Sequence, residues 1–310
     1  MFSSGSQWRV LYRTRMTDNQ STMGATIAEA TAAAAEALRA GGLTEARREA
    51  GTLVSFAARR DRTFLLTHPE ARLTEDELAR LRDAVARRAA GEPLQYITGR
   101  QEFYGLDFEV NSDVLIPRPE TELLVETALE LLRDTPDPRL CDVGTGSGCV
   151  AVSLLHALPR ARACALDISP AALRVAARNA AAHGVGARLT ALVSDCFDAL
   201  SGDRPDAPRF HLVVSNPPYV AERDLGGLQR EVREHEPRVA LTPGGDGLSV
   251  VRRLITEAPD HLLPGGHLLI EIGYDQHERV RQLVNPSVWT LLDIHRDLQG
   301  IPRTVALRRA

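Results

Sequence analysis

Asn216-Pro217-Pro218-Tyr219 is the segment of this sequence whose residue types are best suited to binding an NH₂ group. The two prolines fix their φ angles and lack N–H donors, so the segment is stiff and presents carbonyl oxygens. Asn216 adds a side-chain oxygen that accepts hydrogen bonds, and Tyr219 adds a flat aromatic face. These groups predict a site for the nitrogen of a primary amide or an exocyclic amine.

The chemistry of such a nitrogen explains why two acceptors are useful. The nitrogen is a poor nucleophile because its lone pair is delocalised. Asn216 Oδ1 and the Pro217 carbonyl can accept both N–H bonds and turn the lone pair toward an electrophile. Orientation of this kind can lower a barrier by about 7–11 kcal/mol. No general base is needed before transfer, and a carboxylate substrate is disfavoured because its oxygens would face acceptors.

A glycine-rich segment, Gly144-Thr145-Gly146-Ser147-Gly148, follows Asp142. Glycines permit a tight turn and let backbone N–H groups approach a ligand at a helix N-terminus. Asp167 ends the next predicted strand, where an acid typically accepts hydrogen bonds from ribose hydroxyls. A dinucleotide-binding G-x-G-x-x-G pattern would need glycine at the position of Cys149. The observed G-x-G-x-G instead resembles the first motif of class I methyltransferases.

Asp195 and Cys196 follow the third predicted strand, where class I methyltransferases place the adenine pocket. The alternative is a surface turn in which Asp195 caps a helix.

Alternating strands and helices must position these segments. Helices are predicted at Val150–Ala157 and Pro170–His183. Strands are predicted at Leu140–Val143, Ala163–Ile168, Leu189–Val193, Leu212–Ser215, His267–Ile272, Trp289–His295 and Thr304–Arg308. Such alternation predicts an α/β fold with a mostly parallel sheet, and the short connection before the last strand makes that strand antiparallel. Ligands bind at the carboxyl ends of such strands, so the glycine-rich and Asn216 segments should meet there.

The residues before the sheet predict two smaller elements. Residues 24–93 form a helical bundle, in which Thr44 caps one helix and Thr74 and Glu77 form a capping box. The bundle contains no cluster of catalytic residue types, so we assign it to substrate recognition. Residues 94–115 predict a β-hairpin between the domains, and residues 116–310 form the catalytic domain. Residues 1–23 predict a disordered extension, although their arginines faintly resemble those of a transit peptide.

Composition excludes several classes of protein. The net charge of −4 argues against a broad nucleic-acid-binding surface. The four cysteines have spacings that fit neither a disulfide framework nor a zinc site, so we expect no metal and a reducing compartment. No apolar run approaches the length of about 18 residues that indicates a membrane span. We therefore expect a cytoplasmic protein without a membrane partner.

The Asn-Pro-Pro-Tyr tetrapeptide occurs in methyltransferases for adenine N6, for guanine N2 and for glutamine, so other segments must distinguish them. These segments are Gly91–Gly99, Leu115-Ile116-Pro117-Arg118-Pro119-Glu120-Thr121-Glu122, Glu236–Leu241 and Gly244–Leu248. From about Ala25 to the C-terminus, the combination closely resembles the release-factor glutamine N5-methyltransferases, the HemK/PrmC family. We expect Arg118, Glu120 and Glu122 to brace the acceptor site rather than take part in the chemistry.

The resemblance implies a Rossmann-like sheet of seven strands with an antiparallel last strand, and S-adenosyl-L-methionine as methyl donor. It implies methylation of the glutamine in the GGQ motif of class I peptide chain release factors, with the helical domain gripping the factor. It also implies that Gly144–Gly148, Asp167 and Asp195 bind the cofactor and that Cys196 borders adenine, a position often aromatic in the family. Asn216–Tyr219 would bind glutamine, with Asn216, Pro217 and Tyr219 as the catalytic residues and Asn216 also beside the cofactor.

Three alternatives remain. A related family methylates a glutamine of a large-subunit ribosomal protein, but its motif near the hairpin resembles Pro-Arg-Ser-Pro rather than the sequence from Pro117 to Glu122 found here. An N6-adenine DNA or RNA methyltransferase ordinarily carries a basic target-recognition region. A cofactor-binding module without catalysis would not require the intact tetrapeptide. We expect a monomer that acts on a protein, with no direct nucleic-acid partner.

Overall fold

The computed structural model describes residues 24–201 and 209–310, and the extension predicted at residues 1–23 lies outside them. The chain divides into two compact units, with the boundary between Thr98 and Gly99. Within the described residues, no helix is both long and apolar enough to cross a bilayer.

The first unit is helical. Its helices are α1 (Ile27–Ala40), α2 (Ala46–Ala58), α3 (Arg62–Thr67), α4 (Glu75–Ala89) and α5 (Leu94–Thr98). The predicted capping box at Thr74 and Glu77 is confirmed, and Thr26 and Glu29 form a second one at the start of α1. The cap predicted at Thr44 is wrong, because α2 starts one residue later, after Glu45, which makes no side-chain cap.

Small and branched apolar side chains form the core of the helical unit. Leu38, Leu53 and Val85 are fully buried, and alanines between them let the helices approach closely. A buried ion pair also joins α4 to α2: the Arg88 guanidinium donates to both carboxylate oxygens of Glu49, at 2.6 and 3.1 Å. Such a pair requires one particular register between the two helices, since separating it would leave a buried charge unpaired.

The region predicted as a hairpin over residues 94–115 contains a shorter one. Its strands are β1 (Arg100–Phe103) and β2 (Leu106–Glu109), paired antiparallel. Leu94–Thr98 is helical instead, because the Pro93 carbonyl accepts hydrogen bonds from the amides of Tyr96 and Ile97. Phe103 and Phe108 of the hairpin pack in the core of the second unit, so the hairpin belongs to that unit.

The second unit contains a sheet of seven strands. These are β3 (Arg139–Val143), β4 (Arg162–Asp167), β5 (Leu189–Val193), β6 (Phe210–Ser215), β7 (Leu262–Glu271), β8 (Trp289–Arg296) and β9 (Pro302–Arg309). Their order is β5-β4-β3-β6-β7-β9-β8, and β9 runs antiparallel to both neighbours. The α/β fold, the mostly parallel sheet and the antiparallel last strand are therefore confirmed. The order reverses between β3 and β6, which creates a ligand-binding crevice at their carboxyl ends.

Helices cover both faces of the sheet. They are α6 (Glu122–Leu131), α7 (Cys149–Ala157), α8 (Pro170–Ala182), α9 (Arg230–His235), α10 (Arg238–Leu241), α11 (Ser249–His261) and α12 (His277–Leu283), with 3₁₀ turns at Pro119–Thr121, Gly186–Arg188, Asp198–Leu200 and Glu222–Gly227. Alternate strand residues face opposite sides: Leu212 packs with the helices α6 and α7, whereas Val213 packs with α11. Both cores are apolar, so the sheet is held rigidly under the crevice.

Candidate active site

The glycine-rich loop Gly144–Gly148 and the segment Asn216–Tyr219 meet at the point where the strand order reverses. Asp142 of β3 pairs with Val214 of β6, so both strands end side by side. A Cβ atom added to Gly144 would lie 3.9 Å from the Asn216 carbonyl oxygen. Gly144 has a φ of +74°, a conformation that glycine adopts easily. Because Gly144 has no side chain, room is left between the glycine-rich loop and the segment Asn216–Tyr219, which we call the acceptor loop.

The N–H groups of the glycine-rich loop are mostly bonded within the protein. The amides of Gly144 and Thr145 both donate to the Leu166 carbonyl, at 2.8 and 3.0 Å, and the amide of Gly146 donates to Asp167 Oδ2 at 2.9 Å. These three amides bond within the protein because the end of β4 offers acceptors on the same side. The loop presents open space at Gly146 instead, where an added Cβ would meet no atom within 4 Å.

Two side chains at this loop point into the protein. Asp142 is buried, and its Oδ2 accepts a hydrogen bond from the Thr145 hydroxyl at 2.7 Å. Burial raises the pKa of Asp142 to about 6, and the Thr145 bond opposes the rise. Gly148 fits closely against α8, since an added Cβ would lie 3.0 Å from the Ala176 Cβ. These residues therefore shape the loop, and the Thr145 hydroxyl is committed to Asp142.

Asp167 lies at the mouth of the crevice and is partly exposed. Its Oδ1 accepts a hydrogen bond from the Ser169 amide at 2.9 Å, and its Oδ2 accepts the one from Gly146. Burial raises the pKa of Asp167, and these two amides oppose the rise. Each carboxylate oxygen keeps a further lone pair, which suits it to a pair of hydroxyl donors.

Asp195 and Cys196 follow β5, and their side chains have different surroundings. Asp195 Oδ1 accepts a hydrogen bond from Arg253 of α11 at 2.7 Å, so Asp195 is anchored to that helix. It is not a helix cap, because the 3₁₀ turn that follows has Phe197 at its cap position and no side-chain bond. Cys196 has a φ of +47° and is buried, which raises the pKa of its thiol to about 12. The thiol is therefore neutral at physiological pH.

The acceptor loop leaves two oxygens unoccupied. Asn216 Nδ2 donates to Thr121 Oγ1 at 3.0 Å, which turns the amide nitrogen toward the start of α6. Among residues 24–201 and 209–310, neither Asn216 Oδ1 nor the Pro217 carbonyl accepts a hydrogen bond. The two acceptors that the sequence predicts are thus adjacent and available.

Tyr219 is fixed at both ends. Its hydroxyl donates to Glu271 Oε1 at 3.2 Å, and its carbonyl accepts a bond from Gln276 Nε2 at 2.9 Å. Burial raises the pKa of the hydroxyl well above its usual value, and the nearby Glu271 carboxylate adds to the effect. Gly247 packs on the same carbonyl: an added Cβ would lie 2.3 Å from it. Tyr219 is therefore a neutral, rigidly held ring.

A partly buried ion pair, with the Glu236 side chain 1% and the Arg118 side chain 33% exposed, joins the two loops on either side of Asn216–Tyr219. The Arg118 guanidinium donates to Glu236 Oε1, and the Ile116 amide donates to Oε2 at 3.1 Å. Burial raises the pKa of Glu236, while Arg118 opposes the rise. Glu122 accepts a bond from the Tyr104 amide and so fixes the turn of the hairpin. Arg118 and Glu122 therefore have the contacts expected of bracing residues.

Comparison with known proteins identifies the family. Residues 29–99 match the family model of the PrmC N-terminal domain, and residues 119–248 match that of the methyltransferase small domain. The release factor glutamine methyltransferase of Koribacter versatilis is 44% identical over 284 residues, which cover 92% of this chain and 99% of that protein. The chain belongs to the release factor glutamine methyltransferase family. The family members of Geobacter sulfurreducens and Cereibacter sphaeroides are 45% and 44% identical, and the alignments cover 91% and 98% of their lengths.

Three residues of this family member were missed by sequence reasoning. Thr121, in the 3₁₀ turn before α6, and Glu271 of β7 contact the acceptor loop. Asn179 of α8 is buried, and its side chain donates to the carbonyls of Ser147 and Glu109 at 2.8 and 3.0 Å while accepting from the Glu109 amide. It thereby fastens the hairpin to the glycine-rich loop. The available signal was a polar residue within an otherwise apolar stretch, as in Leu-Leu-Ile-Glu-Ile at 268–272.

Proposed function

We propose that this chain methylates the N5 amide nitrogen of the glutamine in the GGQ motif of class I peptide chain release factors, with S-adenosyl-L-methionine as methyl donor. The observation that carries the proposal is the pair of unoccupied acceptors, Asn216 Oδ1 and the Pro217 carbonyl, beside the crevice at Gly144. The names of the relatives, which match over nearly their whole length, support release factors as the substrate.

The crevice suits the methyl donor. Positive φ angles at Gly144 and Gly146, and the open space beside Gly146, leave room for a bulky ligand between the loop and Asn216. Asp167 has lone pairs for ribose hydroxyls, and the neutral Cys196 offers an apolar border for adenine. When bound, S-adenosyl-L-methionine supplies a methyl group on a positively charged sulfur. We assign its binding to Gly144, Thr145, Gly146, Ser147, Gly148, Asp167, Asp195, Cys196 and the backbone of Asn216.

The acceptor loop binds and orients the glutamine amide. One N–H bond donates to Asn216 Oδ1 and the other to the Pro217 carbonyl, so the plane of the NH₂ group is fixed by two groups of a stiff segment. Pro218 keeps the loop extended, and the immobile Tyr219 ring limits the space beside the amide. A glutamate side chain would place its oxygens against these two acceptors and would be rejected. Positioning rather than acid–base catalysis therefore accounts for the rate.

We further propose how this enzyme meets its substrate and where it acts. The helical unit grips the release factor, and the enzyme acts as a monomer in the cytoplasm without a nucleic-acid or membrane partner. Its acceptor loop discriminates by the chemistry of the NH₂ group, so the choice between protein substrates depends on contacts outside the loop.

Mass spectrometry of a purified class I release factor, after incubation with the enzyme and S-adenosyl-L-methionine, tests this function. We expect the mass of one methyl group on the GGQ-loop peptide, located at the glutamine by fragmentation. A large-subunit ribosomal protein mixture and an adenine-containing oligonucleotide serve as competing substrates. Methylation of either one, with the release factor unmodified, would contradict the proposal.

Asn216→Ala provides the matched variant. It removes one of the two acceptors but leaves the loop prolines, so we expect cofactor binding to persist while methyl transfer falls about 100-fold or more. Calorimetric titration with the cofactor measures the first quantity and a radiomethyl assay the second. Asn285→Ala, at an exposed asparagine far from the crevice in sequence, is the control. Unchanged turnover in Asn216→Ala would refute the role of this residue.

A further inference from the structure

The loop after β5, residues 194–198, is fixed by its own hydrogen bonds. The Ser194 hydroxyl donates to the Cys196 carbonyl at 2.8 Å and accepts a hydrogen bond from the Ala199 amide at 3.0 Å. The Ser194 amide donates to the Asp167 carbonyl at 3.0 Å, so the loop starts beside the residue that we assign to ribose. Cys196 has a φ of +47°, which is unfavourable for a residue other than glycine. The loop therefore has one defined backbone path next to the crevice.

Arg253 of α11 holds the side chain of Asp195 in this loop. Its Nη1 donates to Asp195 Oδ1 at 2.7 Å, and its Nη2 donates to the Asp195 carbonyl at 3.4 Å. Two further carboxylates fix the same guanidinium, since Nε donates to Glu257 Oε1 at 2.9 Å and Nη2 to Asp198 Oδ1 at 3.2 Å. A planar guanidinium bonded at all three nitrogens has little freedom to move. Asp195 is thus held in place, although its side chain remains 53% exposed.

A carboxylate that is both fixed and accessible suits the 6-amino group of adenine. The carboxylate of Asp195 can only accept hydrogen bonds, and the amino group of adenine donates them. A hydrogen bond to an ionised acceptor is about twice as strong as one between neutral groups. Hypoxanthine carries an oxygen at the same ring position, so it would set acceptor against acceptor. An exposed carboxylate without a partner could turn toward solvent, so this discrimination requires Arg253.

We propose that Arg253 is a positioning residue for the methyl donor, which holds the Asp195 carboxylate toward the 6-amino group of adenine and so selects adenine over 6-oxo purines. This inference rests on the assignment of Asp195 to the cofactor in the proposed function, and it does not depend on the protein substrate. Arg253 acts through Asp195 and needs no contact of its own with the adenine. A helix on one face of the sheet thus sets the base specificity of a loop at the sheet edge.

Calorimetric titration with two ligands tests the inference without any methyl transfer. The ligands are S-adenosyl-L-homocysteine and S-inosyl-L-homocysteine, which differ only in the amino or oxo group of the base. We expect the parent to bind the adenosine compound at least about tenfold more tightly. In Arg253→Met this ratio should fall at least about fivefold, because only the adenosine compound loses a positioned acceptor. A merely structural role of Arg253 would weaken the binding of both compounds equally.

Three further variants complete the test. Arg253→Lys keeps the positive charge but has one nitrogen in place of the planar fork, so its ratio should lie between those of the parent and Arg253→Met. Arg252→Met is the matched control, because Arg252 precedes Arg253 in α11 but bonds Asp246 instead, at 3.0 and 2.6 Å. Its ratio should be parental. Adding Arg253→Met to Asp195→Ala should leave the ratio of Asp195→Ala unchanged, because both substitutions remove one acceptor.

Thermal unfolding shows which variants are folded, and the ratios then decide. A parental ratio in folded Arg253→Met or Arg253→Lys, or an equal loss of affinity for both compounds, would overturn the inference. Equal binding of both compounds by the parent would overturn it together with the assignment of Asp195. If the parent leaves release factors unmethylated while the ratio still depends on Arg253, the inference stands and only the proposed substrate fails.

Discussion

Glu271 should make the stability of the catalytic unit depend on pH near neutrality. Burial raises the pKa of Glu271 from 4.5 to about 7. The rise is opposed by the hydroxyls of Thr121 and Tyr219 and by Arg303, and the charge of Glu120 adds to it. The folded protein therefore keeps this proton up to about pH 7, whereas the unfolded chain releases it near pH 4.5. Between these values the folded state binds more protons, so the free energy of unfolding falls as the pH rises.

The size of the effect follows from the two pKa values. Each pH unit between them changes the free energy of unfolding by about 1.4 kcal/mol. The parent should therefore lose about 3 kcal/mol relative to Glu271→Gln as the pH rises from about 5 to about 8. Asp142 also has a raised pKa, but it is present in both proteins and cancels in the difference.

Urea denaturation at a series of pH values measures this difference. Trp289 is 2% exposed and donates to the Ile255 carbonyl, so its fluorescence reports on the second unit. Trp8, the other tryptophan, is replaced by phenylalanine in both proteins. The free energies come from linear extrapolation to water. A difference between parent and variant that stays constant from pH 5 to 8, within about 0.5 kcal/mol, would refute the assignment of a buried, proton-retaining carboxyl.

Three other substitutions test the crevice. Asp167→Ala should weaken cofactor binding by at least about tenfold in calorimetry, because it removes the ribose acceptor and the partner of the Gly146 amide; parental affinity would contradict the ribose assignment. Gly247→Ala should lower the thermal stability and kcat together. Its Cβ would lie 2.3 Å from the Tyr219 carbonyl oxygen, and the φ of Gly247 is +80°, which strains any residue other than glycine. Gly226→Ala is the control and should change neither quantity, because an added Cβ there meets no atom within 4 Å. Asn179→Ala should destabilise the second unit by about 1–3 kcal/mol in urea, because the buried Ser147 carbonyl and the backbone of Glu109 lose their partner. A smaller effect would show that water replaces the side chain.

Local patterns in the sequence predicted much of the fold. Apolar runs located every strand of the sheet, and β5 begins and ends at the predicted residues, Leu189 and Val193. The capping box at Thr74 was predictable because its partners are three residues apart. The tetrapeptide at Asn216 pointed to two acceptors because the rigidity of proline does not depend on its surroundings.

The parts that were not predicted depend on residues far apart in the chain. Thr121 and Asn216 are separated by 95 positions, and Tyr219 and Glu271 by 52, so no local spacing reveals these bonds. The amides of Gly144 and Thr145 donate to the Leu166 carbonyl at the end of β4, which the motif alone did not predict. That carbonyl reaches the loop only through the pairing of the two strands, which an isolated sequence motif does not show.

The ion pair between Arg118 and Glu236 limits how far two segments beside the acceptor loop can separate. It joins the chain before Thr121 to the chain after Tyr219, and the Glu236 side chain is only 1% exposed. Parting these two segments would strand a carboxylate in an apolar environment, which is costly enough to keep them together. The chain before Thr121 and the chain after Tyr219 are therefore joined on both sides of the acceptor loop. On the proposed function, the glutamine side chain must reach the acceptor loop while these two segments stay joined.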